Sequence, residues 1–255
     1  MPYAKTAFGD LFYTLSPGPQ GASTLVLVHG AGGTRLHWPA ELRRLPEATV
    51  YTLDLPGHGR SLGKGCDTIA AYADSVAAFF HAVGIEQAVI VGHSMGSAIA
   101  MTMALDFADH VAGLVLIATG ARLRVAPAIL EGIRNDFDGT TELITRSAWS
   151  SEAPSRLTQL GQRALQETGP DMLLADFTAC DRFDVMDRLR EIETPTLVIA
   201  GSIDQLTPVK YARFAAEHIC DTRLVVVEGA GHMAMLERPA EVTRAVQDFL
   251  KKPPP

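Results

Sequence analysis

Cysteine is scarce in this chain of 255 residues, which carries three: Cys66, Cys180 and Cys220. They stand far apart and match no metal-ligand spacing. So sparse and odd a set builds no disulfide framework and suits a reducing compartment. Basic residues are not in excess either. Twenty-two Lys and Arg face 29 Asp and Glu, a formal charge of −7, whereas a nucleic-acid surface needs a basic patch or stripe. Long apolar runs are missing too, and none approaches the length needed to span a bilayer. The start, Met1-Pro2-Tyr3-Ala4-Lys5-Thr6, has no charged segment leading into an apolar stretch, so no signal peptide is expected. A soluble, cytoplasmic protein without nucleic-acid or membrane partners is the expectation.

What is present is an ordinary globular composition, 47% hydrophobic and 20% charged. The length allows one large domain, or one domain carrying an insertion. Short apolar runs recur at Leu25–Val28, Ala88–Val91, Gly113–Ile117, Thr196–Ile199 and Leu224–Val227. They are rich in Val, Ile and Leu and lack strict alternation, as expected of strands covered on both faces. Helical spacing separates most of them. Ile69, Tyr72, Ala73, Val76, Phe79 and Phe80 fall on one face of Ile69–Val83, and Gly84 is placed to end that helix. Met95–Phe107 and Val209–Ile219 read likewise. Alternating strands and helices predict an α/β fold with a mainly parallel sheet. The opening Tyr3–Leu15 predicts an antiparallel hairpin turning at Phe8-Gly9-Asp10.

The alternation stops between about Arg122 and Arg190. This stretch has no strand pattern, many helix formers, and Pro127, Pro154 and Pro170 at positions suited to helix starts. The expected division is a core of residues 1–121 and 191–250, a helical cap of 122–190, and a disordered tail of 251–255.

Gly92-His93-Ser94-Met95-Gly96 fits G-x-S-x-G, between the Ala88–Val91 strand and a helical run. A tight strand-to-helix turn strains its apex and needs small residues two positions either side. Ser94 is the candidate nucleophile. A serine at a helix start is also a favoured N-cap, so the pentapeptide alone allows that second role.

A serine hydroxyl needs a base to take its proton, and histidine suits neutral pH. Of eight histidines, only His232 lies in the loop just after the last expected strand, within Glu228-Gly229-Ala230-Gly231-His232. Chemistry in open α/β sheets gathers at that carboxyl edge. An acid must fix the imidazole tautomer. Asp204 follows the Thr196–Ala200 strand, whereas Ala118-Thr119-Gly120-Ala121, after the preceding strand, has no carboxylate. Asp204 could alternatively cap the helix that begins near Pro208. The order Ser94, Asp204, His232 is that of α/β-hydrolases. Oxyanion donors are expected from the Met95 N–H and from His29-Gly30-Ala31-Gly32-Gly33, there Ala31, or Gly32 as the alternative.

With these motifs the chain resembles the α/β-hydrolase superfamily over nearly its whole length. His29-Gly30 is similar to that family's oxyanion loop and Gly92–Gly96 to its elbow. Asp54-Leu55-Pro56-Gly57-His58-Gly59-Arg60-Ser61 is similar to its structural D-x-x-G-x-G-x-S turn, where His58 and Arg60 would be architectural. Gly201-Ser202-Ile203-Asp204 is similar to its acid loop, and Gly229–His232 with Glu237 and Pro239 to its histidine loop. The resemblance implies an α/β-hydrolase fold: a mostly parallel eight-stranded sheet flanked by helices, with a helical cap. It is nearest the serine esterase, enol-lactonase and C–C hydrolase branches, which need no metal or organic cofactor.

The expected activity is cleavage of a small or medium carboxylic ester through an acyl-enzyme. Enol-lactone or C–C bond hydrolysis is the alternative on the same triad, and a small-molecule receptor the alternative of another class. Trp38, Phe137, Trp149 and Phe177 are expected pocket residues, with Met172 and Leu173 further candidates. Arg122, Arg124 and Arg146 could meet a substrate carboxylate, although a solvated cap face accounts for them too.

Overall fold

The computed structural model describes residues 2–251. Its β-branched runs join into one sheet of eight strands. These are β1 (Tyr3–Thr6), β2 (Gly9–Ser16), β3 (Thr24–Val28), β4 (Thr49–Leu53), β5 (Ala88–His93), β6 (Val111–Ile117), β7 (Thr196–Gly201) and β8 (Thr222–Val227). Their order across the sheet is β1-β2-β4-β3-β5-β6-β7-β8. The β1/β2 and β2/β4 pairs are antiparallel, and every later pair is parallel. The expected fold class is therefore observed.

Both faces are covered, and the period of two decides what covers them. Val26 and Val28 of β3 with Ile90 of β5 pack against Tyr72, Val76, Phe79 and Phe80. Those four side chains form the apolar stripe of α2 (Ile69–Val83), closed by Gly84 at φ 73°. On the other face, Leu25, Leu27, Val89 and Val91 meet Trp38, Leu42, Val242, Val246 and Phe249. Leu42 lies in the short α1 (Ala40–Arg43). The buried helix α3 (Met95–Asp106) leaves the end of β5.

Between β6 and β7 the chain runs through four helices: α4 (Pro127–Asn135), α5 (Phe137–Ala148), α6 (Ser155–Thr168) and α7 (Pro170–Arg182). Their shared apolar cluster holds Ile133, Ile144, Leu165 and Leu173. The excursion closes where it began, by the Arg122–Asp184 bridge and the Val185 N–H to Ala121 O bond of 2.8 Å. Pro127 and Pro170 occupy first helical turns, where a missing N–H costs nothing. Pro154 instead stands just before its helix. Three helices complete the core: α8 (Val209–His218), α9 (Ala234–Glu237) and α10 (Pro239–Lys251). No helix among the described residues is long and apolar enough to cross a membrane.

Three local expectations change. The hairpin turns at Ala7-Phe8, and Gly9 and Asp10 already pair with Thr6 and Lys5. The Thr6 hydroxyl accepts from the Phe8 N–H and donates to the Gly9 carbonyl, which fixes the turn earlier. Thr49–Leu53, a short half-polar run without a strand signal of its own, forms β4 beside β3. Lys251 is the last residue of α10 rather than part of a tail; the rest of the expected tail lies outside the described residues.

Candidate active site

Ser94 joins β5 to α3 in a backbone conformation unusual for a non-glycine residue, φ 53° and ψ −116°. The neighbouring glycines are required by contact. A Cβ on Gly92 would strike the Gly96 carbonyl, and a Cβ on Gly96 would strike the Val28 carbonyl. The Ser94 side chain makes no capping hydrogen bond to α3. The N-cap role is thus not taken up, and the side chain borders a cavity instead.

Asp204 lies beyond β7, and its two carboxylate oxygens do different things. Oδ1 accepts the N–H groups of Leu206 (2.8 Å) and Thr207 (2.9 Å), which shapes the loop ahead of α8. Oδ2 accepts the Thr207 hydroxyl at 2.7 Å and faces His232 Nδ1 at 2.9 Å. Burial pushes the carboxyl's pKa upward. The charge and hydrogen bond of His232 together with the Thr207 donors outweigh it and hold the group well below its ordinary range. An ionised Asp204 assigns a proton to Nδ1 of His232.

Two neighbours of this pair had no sequence signal. The Thr207 hydroxyl is also 3.2 Å from His232 Nδ1. His93, the variable residue before Ser94, directs Nε2 at the His232 carbonyl at 3.0 Å. Glu237 supports the same loop, accepting the Gly231 N–H at 3.1 Å and the Ser150 N–H at 3.2 Å.

The loop after β3 is held by its own hydrogen bonds and by one from α7. His29 is buried, and its Nε2 accepts the Leu55 N–H at 3.0 Å, so Nδ1 donates to the Gly30 carbonyl at 2.9 Å. The Gly32 N–H is engaged by the Asp176 carboxylate at 2.7 Å. The N–H groups of Ala31 and Met95 have no acceptor among the described residues. Of the two alternatives in this loop, Ala31 is the one left with a free donor.

Ser94, Ala31 and His232 border one cavity of about 620 Å³, a volume typical of small-molecule sites. Trp149 and Phe177 line it; Trp38 and Phe137 do not. Trp38 is 1% exposed in the sheet-face core and meets His93 edge-on at 6.5 Å. Its turn, Arg35–His37, points the indole inward and leaves His37 at the cavity wall. Phe137 begins α5 and packs into the inserted helices' own core. Leu173 is buried in that core as well, and Met172 lies against Gly57 and Gly65. Arg122 and Arg124 line the cavity, whereas Arg146 borders a separate shallow groove. No cluster of His, Cys, Asp or Glu suited to a metal occurs among the described residues.

Sheet order and site define a class: an open α/β protein with a serine at the strand-to-helix elbow and a His–Asp pair on neighbouring carboxyl-edge loops. The chain belongs to the alpha/beta hydrolase family, whose sequence model matches residues 25–245. It is 29% identical over 253 residues to a pimeloyl-acyl-carrier-protein methyl ester esterase of Neisseria meningitidis, covering 91% of this chain and 95% of that one. It is similar to the solved structure of a thermophilic esterase, with 33% identity, a TM-score of 0.86, and 98% and 97% of the chains covered. The enol-lactonase from Burkholderia xenovorans LB400 shares the fold, at 24% identity and a TM-score of 0.91, with 98% and 100% covered.

Proposed function

We propose that this chain is a serine hydrolase that cleaves small or medium carboxylic esters through an acyl-enzyme. One observation carries the reading. The His232–Asp204 bond of 2.9 Å orients the imidazole beside the cavity that Ser94 also borders. The esterase relatives support the ester class.

In the proposed reaction Ser94 Oγ attacks the ester carbonyl while His232 Nε2 takes its proton. The negative charge on the tetrahedral oxygen is met by the Ala31 and Met95 N–H groups. His232 then protonates the leaving alcohol and the C–O bond breaks. Water, deprotonated by His232, attacks the acyl-enzyme and releases the acid with Ser94 restored. The helices of 122–190 act as the cap that shapes the acyl pocket.

A second reading has its own support. The charged side chains along the cavity are Arg122, Arg124 and Lys210, all cationic, which favours a substrate with an anionic group, such as an enol-lactone carboxylate. The test is hydrolysis of p-nitrophenyl esters of increasing acyl length, alongside lactones, with Ser94→Ala as the blank. Ser94-dependent turnover and fluorophosphonate labelling at Ser94 are expected. Equal turnover by Ser94→Ala would reject the mechanism. Slow single turnover with ligand-induced stabilisation would favour a receptor.

A further inference from the structure

Asp176 is fully buried on α7, within the inserted helices, and every partner it has lies in the core. Its Oδ2 accepts the Gly32 N–H at 2.7 Å and faces His58 Nε2 at 2.8 Å. Its Oδ1 accepts the Tyr72 hydroxyl at 2.5 Å. These donors come from three separate segments: the loop after β3, the Asp54–Ser61 turn and α2. A buried carboxylate is tolerated only when paired and fully hydrogen-bonded, and here it is. His58 Nδ1 faces the Pro56 carbonyl at 3.0 Å, so both ring nitrogens point at acceptors and both carry protons. The buried pair is therefore an imidazolium and a carboxylate.

A second tie reaches the same loop residue. The Thr168 hydroxyl at the end of α6 shares its one proton between the Gly32 carbonyl at 3.0 Å and the Ala164 carbonyl of its own helix at 2.9 Å. Both main-chain polar groups of Gly32 are thus held by the inserted helices. Gly32 has φ +61°, a left-handed conformation that fixes the direction in which the preceding peptide turns. That peptide carries the Ala31 carbonyl and the Gly32 N–H; the Ala31 N–H, left free beside the cavity, belongs to the peptide before it and shares a plane with the Gly30 carbonyl. The bond from the Gly33 N–H to the Gly30 carbonyl at 3.0 Å closes the loop from the other side.

We propose that Asp176 is a positioning residue, aided by Thr168, that sets the oxyanion loop so that the Ala31 N–H is aligned only when the cap is seated on the core. The proposal rests on the serine ester hydrolase reading. It makes cap closure and assembly of the oxyanion hole one event: a substrate under a raised cap meets a serine without its full complement of donors. Electrostatic preorganisation of this kind acts on the transition state more than on the ground state.

The experiment compares wild type with Asp176→Asn, Thr168→Val and Tyr72→Phe. For Asp176→Asn, kcat should fall about 10- to 100-fold, within what one oxyanion donor contributes, while KM changes less than about threefold. Affinity for a trifluoromethyl ketone transition-state analogue should fall in parallel, and affinity for the product acid should not. A purely structural role would lower the folded fraction and leave the ratio of those two affinities unchanged. Amide exchange at residues 29–33, which needs no turnover, should speed up in the variants. Should Asp176→Asn fail to fold, Thr168→Val and Tyr72→Phe each remove one hydroxyl and are expected to shift kcat and exchange several-fold in the same direction. Unchanged exchange with unchanged kcat would overturn the proposal. Faster exchange in a protein whose wild type lacks Ser94-dependent turnover would retain the tie and reject the hydrolase reading instead.

Discussion

His93 Nε2 lies 3.0 Å from the carbonyl oxygen of His232, and the two rings are 4.9 Å apart. The residue before the proposed nucleophile thus holds the loop of the proposed base, 139 positions further along the chain. Since the acceptor is a carbonyl, Nε2 carries the proton, and the buried Nδ1 has no partner among the described residues.

His93→Leu should accordingly lower kcat/KM about fivefold, the kinetic equivalent of losing one hydrogen bond of roughly 1 kcal/mol. The loss should appear mainly in kcat, because the affected contact orients the base rather than the substrate. Steady-state kinetics on one p-nitrophenyl ester measures this. A variant with wild-type kcat would show that the β8–α9 loop holds His232 without help from the elbow.

Acid should destabilise the fold well before the carboxylates titrate. Burial pushes the pKa of His29, His37 and His93 down, assisted by the charge of His58 on the first two and of His232 on the third; His37 falls to about 4. The unfolded chain takes up these protons below about pH 6.5, and the native state refuses them. Each refused proton costs about 1.4 kcal/mol per pH unit, so stability declines as pH falls from 6.5 towards 4. His58 runs the other way. Burial lowers its pKa, but the charge and hydrogen bond of Asp176, with the Pro56 carbonyl and the charge of Asp54, together raise it above its ordinary value. Its contribution is complete below pH 6.5 and is lost as pH rises through the raised pKa, so it does not offset the acid slope. Thermal melts between pH 7.5 and 4.5 should show a steady drop in Tm, shallower in His37→Gln. A flat profile would mean that these rings are hydrated or paired in solution.

The positions of Ser94, Asp204 and His232 at one edge of the sheet were legible because each is announced by strand-ending position and by residue type. Ser94 needs Gly92 and Gly96 beside it, and Asp204 and His232 each follow a run of Val, Ile or Leu, buried in β7 and half-buried in β8. Asp176 had no such signature. A single aspartate on an amphipathic helix reads as solvated until folding sets it against Gly32, His58 and Tyr72. The hairpin turns ahead of Phe8-Gly9-Asp10 because the Thr6 side chain closes the turn two residues before Asp10 is reached. Trp38 and Phe137 fall outside the expected pocket for a related reason. An aromatic near a catalytic loop can face the cavity or the core, and only the direction of the preceding turn decides.

That distinction between facing inward and facing the cavity makes the last expectation. Phe177 lines the cavity beside Trp149, so Phe177→Ala should enlarge the acyl pocket and move the preferred ester towards longer chains by two or more carbons, roughly the space of a lost ring. Trp38 is sealed among Leu42, Leu45 and Val50 on the far side of His93. Trp38→Ala should cost about 3–5 kcal/mol of stability, as large core truncations do, while the surviving enzyme keeps the wild-type order of chain lengths. Chemical denaturation supplies the stability change, and relative kcat/KM across the ester series supplies the preference. A shifted order in Trp38→Ala, with none in Phe177→Ala, would reverse the assignment of the two walls.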